Sequence, residues 1–309
     1  MNYLMYLFCM FIWGLNFIAV KIQGDSLPLE VALLYRSLIA FSLFGVMFIF
    51  IFKKLKLNNT NWFTIIGFGL CNFTISYLLL YYGTFYSSAA IVTLIFSMKA
   101  ILTPIFISMV FKRKISNRIY IGGGLGVVSV VVILYPDLNS LTNEFIIGVA
   151  FALLGTIITS IGDVLSLYNS ESKVHPVLSN TIGMLSAVIF LLIYTSFKGY
   201  RYSFPLELNF WFGLLYLSIL ASFLAWFFYL KLINNIGAAE SGYMVAMFPA
   251  IGGIASVIMG ETHLSINLVV GIILACMGAY LALYKQNPVC YTHLSLPTKT
   301  RVYINIIHH

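Results

Sequence analysis

The sequence predicts an all-α integral membrane protein, with ten transmembrane helices forming two inverted five-helix repeats around a central cavity. Three observations lead there. Hydrophobic residues occupy 61% of the 309 positions and charged residues only 8%, a balance that no water-exposed surface accommodates. The apolar residues collect into runs of about 18–25, each long enough to cross roughly 30 Å of hydrocarbon at about 1.5 Å per helical residue. Residues 1–135, moved forward by about 148 positions, lay these runs over one another in five pairs.

The predicted spans are 3–20, 29–52, 62–83, 87–111, 117–135, 145–168, 177–197, 209–232, 237–259 and 266–284. The first has no basic leader and no small-residue cleavage site, so it reads as a span rather than a secretory signal. It pairs with 145–168 through Gly14 and Gly162. The second pairs with 177–197 through Pro28 and Pro176, and the third with 209–232 through Asn61 and Asn209 and through Tyr81 and Tyr229. After a small insertion, SSAAIVTLIFSMKAI (87–101) falls on GAAESGYMVAMFPAI (237–251), and Ser116, Gly122 and Tyr135 fall on Ser265, Gly271 and Tyr284. A unit with an odd number of spans, repeated in one chain, enters the bilayer from opposite sides, the geometry that suits alternating access. The expected division is a first repeat at 1–135, an outer linker at 136–144 and a second repeat at 145–285.

The formal charge of +8 does not point to nucleic acid, because there is no polar domain to carry a basic, aromatic-interleaved surface. The cations sort by side instead. Lys53, Lys54, Lys56, Lys112, Arg113, Lys114, Arg118, Lys173, Lys231 and Lys285 fall on one set of connections, whereas Lys21, Lys198 and Arg201 fall on the other. The positive-inside bias then places both termini in the cytoplasm of a plasma-membrane protein.

Residues 286–309, NPVCYTHLSLPTKTRVYINIIHH after Gln286, have no partner in the first half and no helical period. They resemble translated cloning or adapter sequence, so Cys290, His293, His308 and His309 are set aside from any metal count. Cys9, Cys71 and Cys276 lie singly in apolar spans and read as small hydrophobes. GGGLG (122–126) lies inside a span without a following Lys-Ser/Thr, so it reads as close helix packing rather than a phosphate cradle.

Several strings, in order and at the repeat spacing, resemble the EamA-type ten-helix members of the drug/metabolite transporter superfamily. They are WGLNFIAVK (13–21), YRSLIA (35–40), SSAA (87–90), GAAES (237–241), Pro249 and GE (260–261). The resemblance covers 1–285 and implies a central cavity for small organic solutes, lined by spans 1, 3, 4, 6, 8 and 9, with spans 5 and 10 peripheral. The family usually carries a proline in the middle of the fourth span; here that position is Lys99, with Pro104 five residues on as the residue that could displace the kink. Arg36 aligns with Met184, so this cation is not duplicated either.

A charge in the hydrocarbon core costs about 2.5–3.5 kcal/mol even on the lenient insertion scale, which makes each one a candidate for function. Lys99 stands nearest the midplane, where it either meets a substrate carboxylate or phosphate or forms an ion pair with Asp163. Asp163 and Glu240 are the ion-coupling candidates, the alternatives being neutralisation by Lys99 and capping of a helix N-terminus. Arg36 reads as a structural charge bridging helix ends, and Glu261 as a helix terminator. On the implied lining helices, Trp13, Asn16, Tyr77, Tyr81, Thr93, Ser97, Trp226, Tyr229 and Tyr243 offer aromatic faces with polar tips suited to amphipathic solutes. Trp62, Trp211 and Tyr284 belong instead to the headgroup belts.

The expected function is secondary, ATP-independent transport, with export of small organic metabolites such as amino acids or amphipathic drugs. A sugar or nucleotide-sugar carrier of the same superfamily is the alternative. An integral-membrane enzyme would need a nucleophile–base pair or metal set at membrane depth; the spans contain no histidine and no HExxH, and His175 and His263 fall in loops. No cofactor and no metal are expected. The expected partners are a small-molecule substrate, the lipid bilayer, a proton gradient and, left open, a second copy of the chain.

Overall fold

A computed structural model describes residues 2–52, 60–112, 114, 117–135, 142–236, 241 and 243–283, and among these every regular element is helical. Glu240 and the tail after Leu283 lie outside the described residues, as does the side chain of Tyr243. The helices are α1 (Asn2–Gly14) and α2 (Asn16–Gln23), α3 (Leu29–Ile51), α4 (Trp62–Tyr86) and α5 (Ala89–Phe111), and α6 (Asn117–Leu134). They continue with α7 (Asn143–Glu171), α8 (Pro176–Phe197), α9 (Leu208–Ile236), α10 (Phe248–Ile258) and α11 (Ile266–Leu283).

Six of these, α3, α4, α5, α7, α8 and α9, are long and apolar enough to cross a membrane, and α1 with α2 makes a seventh span bent by 42°. The chain is therefore a multi-pass membrane protein. The helices α6, α10 and α11 are apolar but shorter in their described lengths.

Local chemistry sets the helix starts. The Asn61 side chain accepts the Phe63 amide at 3.1 Å, Ser88 accepts Ile91 at 3.2 Å and Thr142 accepts Phe145 at 3.2 Å, each satisfying an orphan N–H. Four spans carry internal breaks. The first predicted span is not straight but turns at Leu15 between α1 and α2. In α4 and α9, π-helical segments occupy Leu70–Ile75 and Tyr216–Leu224, positions that overlap when the first half is moved onto the second. In α5 the helix stops at Ser97 and restarts at Lys99 across a turn at Met98.

Helices pair across the two halves of the sequence: α6 on α11, α3 on α8, α5 on α10, α4 on α7 and α1 on α9. Small residues let α6 and α11 close together, since a Cβ on Gly278 would stand 2.6 Å from the Gly122 carbonyl. Polar contacts gather at two ends of the bundle. At one end Lys21 and Glu261 pair at 3.5 Å, and Tyr200 donates to Glu30 at 3.2 Å. At the other end Thr64 meets Asn169 at 2.6 Å, and Ser170 meets Asn234 at 2.5 Å.

Candidate functional site

Between the breaks lies a narrow cavity of about 30 Å³. Its wall comes from α1, α2, α4, α5, α7, α9, and α10 with the 3₁₀ turn Tyr243–Met247 that precedes it; among the described residues, none of α3, α6, α8 or α11 lines it. The wall is mostly aromatic. Trp13, Trp226 and Tyr229 form a mutually edge-on triangle, with ring centroids 5.2, 5.1 and 5.6 Å apart, the geometry aromatic quadrupoles favour. Phe96 of α5 stacks across the cavity on Phe248 of α10 at 6.2 Å.

The π segments hold this wall in place. A π turn shifts the hydrogen-bond register and releases backbone groups for other partners. The Trp13 indole takes the Ala221 carbonyl of the α9 π segment at 3.0 Å, and the Trp226 indole donates to the Tyr77 hydroxyl at 2.8 Å. In the α4 π segment, Asn72 accepts from Thr159 of α7 at 2.6 Å. Close backbone approach makes this contact reachable, because a Cβ on Gly162 would fall 2.1 Å from the Asn72 amide nitrogen.

Lys99 lines the cavity and is also ion-paired. Its Nζ lies 3.0 Å from Asp163 Oδ2, and both side chains are buried. Thr103 donates to the same carboxylate oxygen at 3.1 Å, while Asp163 Oδ1 has no hydrogen-bond partner. The lysine also faces the rings of Phe96 and Tyr229 at 5.4 and 5.9 Å. The two readings of Lys99 thus coexist in one geometry, and Asp163 stands behind the lysine rather than on the cavity wall.

Arg36 is 1% exposed. Its Nε donates to Ser222 at 2.7 Å, Nη1 to Tyr81 at 3.3 Å and Nη2 to Asn16 at 3.4 Å, and its carbon lies 4.2 Å from the centre of the Tyr77 ring. The α9 π segment supplies Ser222. These partners are side chains of three helices rather than helix-end carbonyls.

Of the residues singled out from sequence, Trp13, Asn16, Tyr77, Lys99, Trp226 and Tyr229 meet on the cavity wall. Tyr81 does not; it is buried behind the wall between Arg36 and Gln23. Ser97 and Thr93 donate to the carbonyls of Leu94 and Ala89 at 2.6 Å each, and Thr93 packs where α10 presents Gly252. Glu261 does more than end a helix. It accepts the Ala89 amide at the start of α5 at 2.9 Å and the Ser256 hydroxyl at 2.7 Å, in addition to pairing with Lys21. Sequence reasoning missed Phe17, Leu80, Phe96, Thr159, Val245 and Phe248 on the wall. Only Thr159 carried a signal, standing one helical turn from Asp163 on the same face.

Comparison with known proteins gives one family and one fold. The model of the EamA-like transporter family matches the chain twice, over residues 1–135 and 146–284. A solved structure, titled only "Crystal structure of protein", superposes with a TM-score of 0.67 over 91% of this chain and 96% of that chain, at 15% identity. No curated protein matches.

Proposed function

Because the chain belongs to the EamA-like transporter family, we propose that it is a secondary transporter that exports small amphipathic organic solutes, such as amino acids or drugs, by alternating access. The observation that carries this reading is the narrow aromatic cavity, bordered by five breaks and bends in the spans. Broken helices at membrane depth belong where backbone lines a cavity.

The proposal includes ten spans in two inverted units, 1–135 and 145–285, joined by a linker at 136–144, in a plasma membrane with both termini cytoplasmic. The double family match and the cross-half helix pairing support it. Solute would contact Trp13, Asn16, Tyr77, Lys99, Trp226 and Tyr229, with Tyr243 adjoining. Tyr81 and Ser97 would hold that wall from behind. Asp163 is the preferred proton-coupling carboxylate, since its unbonded oxygen and its lysine partner give a pair that protonation can open; Glu240 is the second candidate. The aromatic wall suits amphipathic solutes better than polyols.

The test is counterflow in proteoliposomes across metabolite classes, with and without a proton gradient. Exchange of at least one amphipathic solute, saturable and independent of ATP, is expected. Absence of exchange for every class, in protein that binds none of them, would defeat the transporter reading. In Asp163→Asn, counterflow should persist while uphill movement is lost.

A further inference from the structure

The two buried cations beside the cavity differ in what neutralises them. Lys99 has its own carboxylate, Asp163, at 3.0 Å. Arg36 has none: among the described residues no carboxylate lies within 4.0 Å of it, and its partners are two hydroxyls, an amide and a ring face. Glu30, on the same helix, is occupied by the hydroxyls of Tyr82 and Tyr200. The cavity wall itself carries no acidic side chain among the described residues. A guanidinium cannot shed its proton to relieve burial, so its site carries a standing positive charge.

We propose that Arg36 is the anion-recognising group of this cavity, and that the transported solute is an organic monoanion whose carboxylate meets Arg36 while its apolar body lies on the aromatic wall. The inference rests on the reading of the cavity as the transport site. It also moves anion recognition away from Lys99, whose charge Asp163 already balances.

The geometry gives the entry point. Arg36 touches two residues that line the cavity, Asn16 and Tyr77. The contact to Asn16 is the longest of its three hydrogen bonds, at 3.4 Å, and its acceptor is a neutral amide. A carboxylate oxygen arriving from the cavity replaces that acceptor with a charged one, a stronger bond. Arginine has five N–H donors, and its three contacts leave one on each terminal nitrogen for a further acceptor. One uncompensated positive charge matches a single negative charge, which favours a carboxylate over a phosphate dianion.

The experiment compares three probes with one body: 3-phenylpropanoate, 3-phenylpropanamide and 3-phenylpropylamine. Binding to the full chain in nanodiscs is read at pH 7 from fluorescence of the wall tryptophans. The wild type should bind the carboxylate about tenfold more tightly than the amide, and the amine least. Arg36→Met should bring the carboxylate-to-amide ratio to about one while amide binding persists. Should that variant fail to fold, Arg36→Lys, which keeps the charge and loses the guanidinium, should give an intermediate ratio. Lys99→Met with Asp163→Asn should keep the ratio, whatever its absolute affinities. Equal or reversed preference in the wild type, a ratio that survives Arg36→Met, or one lost with the Lys99 and Asp163 pair would overturn this inference alone. Failure of all three probes to bind would overturn the cavity reading and this inference with it.

Discussion

The fifth and tenth helices fill equivalent places in the two halves, and both are broken, but by different means. In α10 the break is proline chemistry: a 3₁₀ turn ends at Met247 and Pro249 sits in the first turn of the helix that follows. In α5 the aligned residue is Lys99, yet the helix still stops at Ser97 and restarts at Lys99. Pro104, the residue expected to displace the kink, lies within the restarted helix, five residues past the break. The break therefore goes with the cavity wall rather than with a proline, since Phe96 and Lys99 on one side and Val245 and Phe248 on the other must all reach it. What proline fixes covalently in one half, the Lys99–Asp163 pair ties to a neighbouring helix in the other.

The largest effect should come from cutting that tie. Lys99→Met leaves Asp163 buried and unpaired, with an expected loss of about 3–5 kcal/mol of stability in thermal unfolding. Adding Asp163→Asn should recover most of it, and a double-mutant cycle measures the coupling. The comparison sharpens if Lys99→Pro, in the Asp163→Asn background, stays within about 1 kcal/mol of Lys99→Met, because proline is tolerated at the first helical position. Proline at Leu94, inside the preceding helix, should instead cost about 3 kcal/mol or more.

A second difference between the halves lies where α4 meets α8. A Cβ on Gly69 would fall 2.3 Å from the Gly183 carbonyl oxygen and 2.4 Å from its Cα, backbone atoms with nowhere to go. The aligned residues of the other half are Leu217 and Tyr35, both buried side chains where this contact has glycines. Gly69→Ala should therefore destabilise by about 1–3 kcal/mol, whereas Leu217→Ala should cost through lost packing instead. Equal tolerance of alanine at Gly69 and at an exposed helical site would remove this asymmetry.

The smallest effect concerns the N-terminus of α8. His175 Nδ1 accepts the Val177 amide at 3.2 Å, and partial burial of the ring holds its pKa below the ordinary imidazole value. Below the ordinary imidazole pKa the unfolded chain binds more protons than the folded one, so this contribution is full above that pKa and is lost as pH falls through the lower folded pKa. Between about pH 5.5 and 7.5 the gain should be under about 1 kcal/mol, the scale of one cap. His175→Asn, which caps without titrating, should flatten that slope; an unchanged slope would show that the cap does not titrate.

Much of this was legible in the sequence because the bilayer restricts what a chain can do. The apolar runs and their repetition follow from hydrocarbon thickness, and the depths of Lys99 and Asp163 along their helices already brought them within reach of each other. Trp13, Asn16, Tyr77, Trp226 and Tyr229 could be placed because polar-tipped aromatics on implied lining helices have few other uses. Other features had no local signature. The π segments of α4 and α9 leave no mark in residue type, yet they aim Asn72, Ala221 and Ser222 at their partners. The contacts of Arg36 join positions 16, 81 and 222, which only the fold brings together. Phe96 and Phe248 carry no polar tip, and residue type alone does not separate a cavity-facing phenylalanine from a lipid-facing one. Glu261 read as a terminator because its partners, Ala89 and Lys21, lie in the other half of the chain.

Alternating access can be tested most directly at that last contact. Lys21 and Glu261 close one end of the bundle at 3.5 Å, between α2 and the segment that follows α10. Cysteines replacing both residues, bridged by a short cleavable thiol cross-linker in proteoliposomes, should stop counterflow, and cleavage of the linker should restore it. Lys21→Cys alone, treated the same way, should keep exchanging. Undiminished counterflow in fully cross-linked protein would contradict a mechanism in which this end must open.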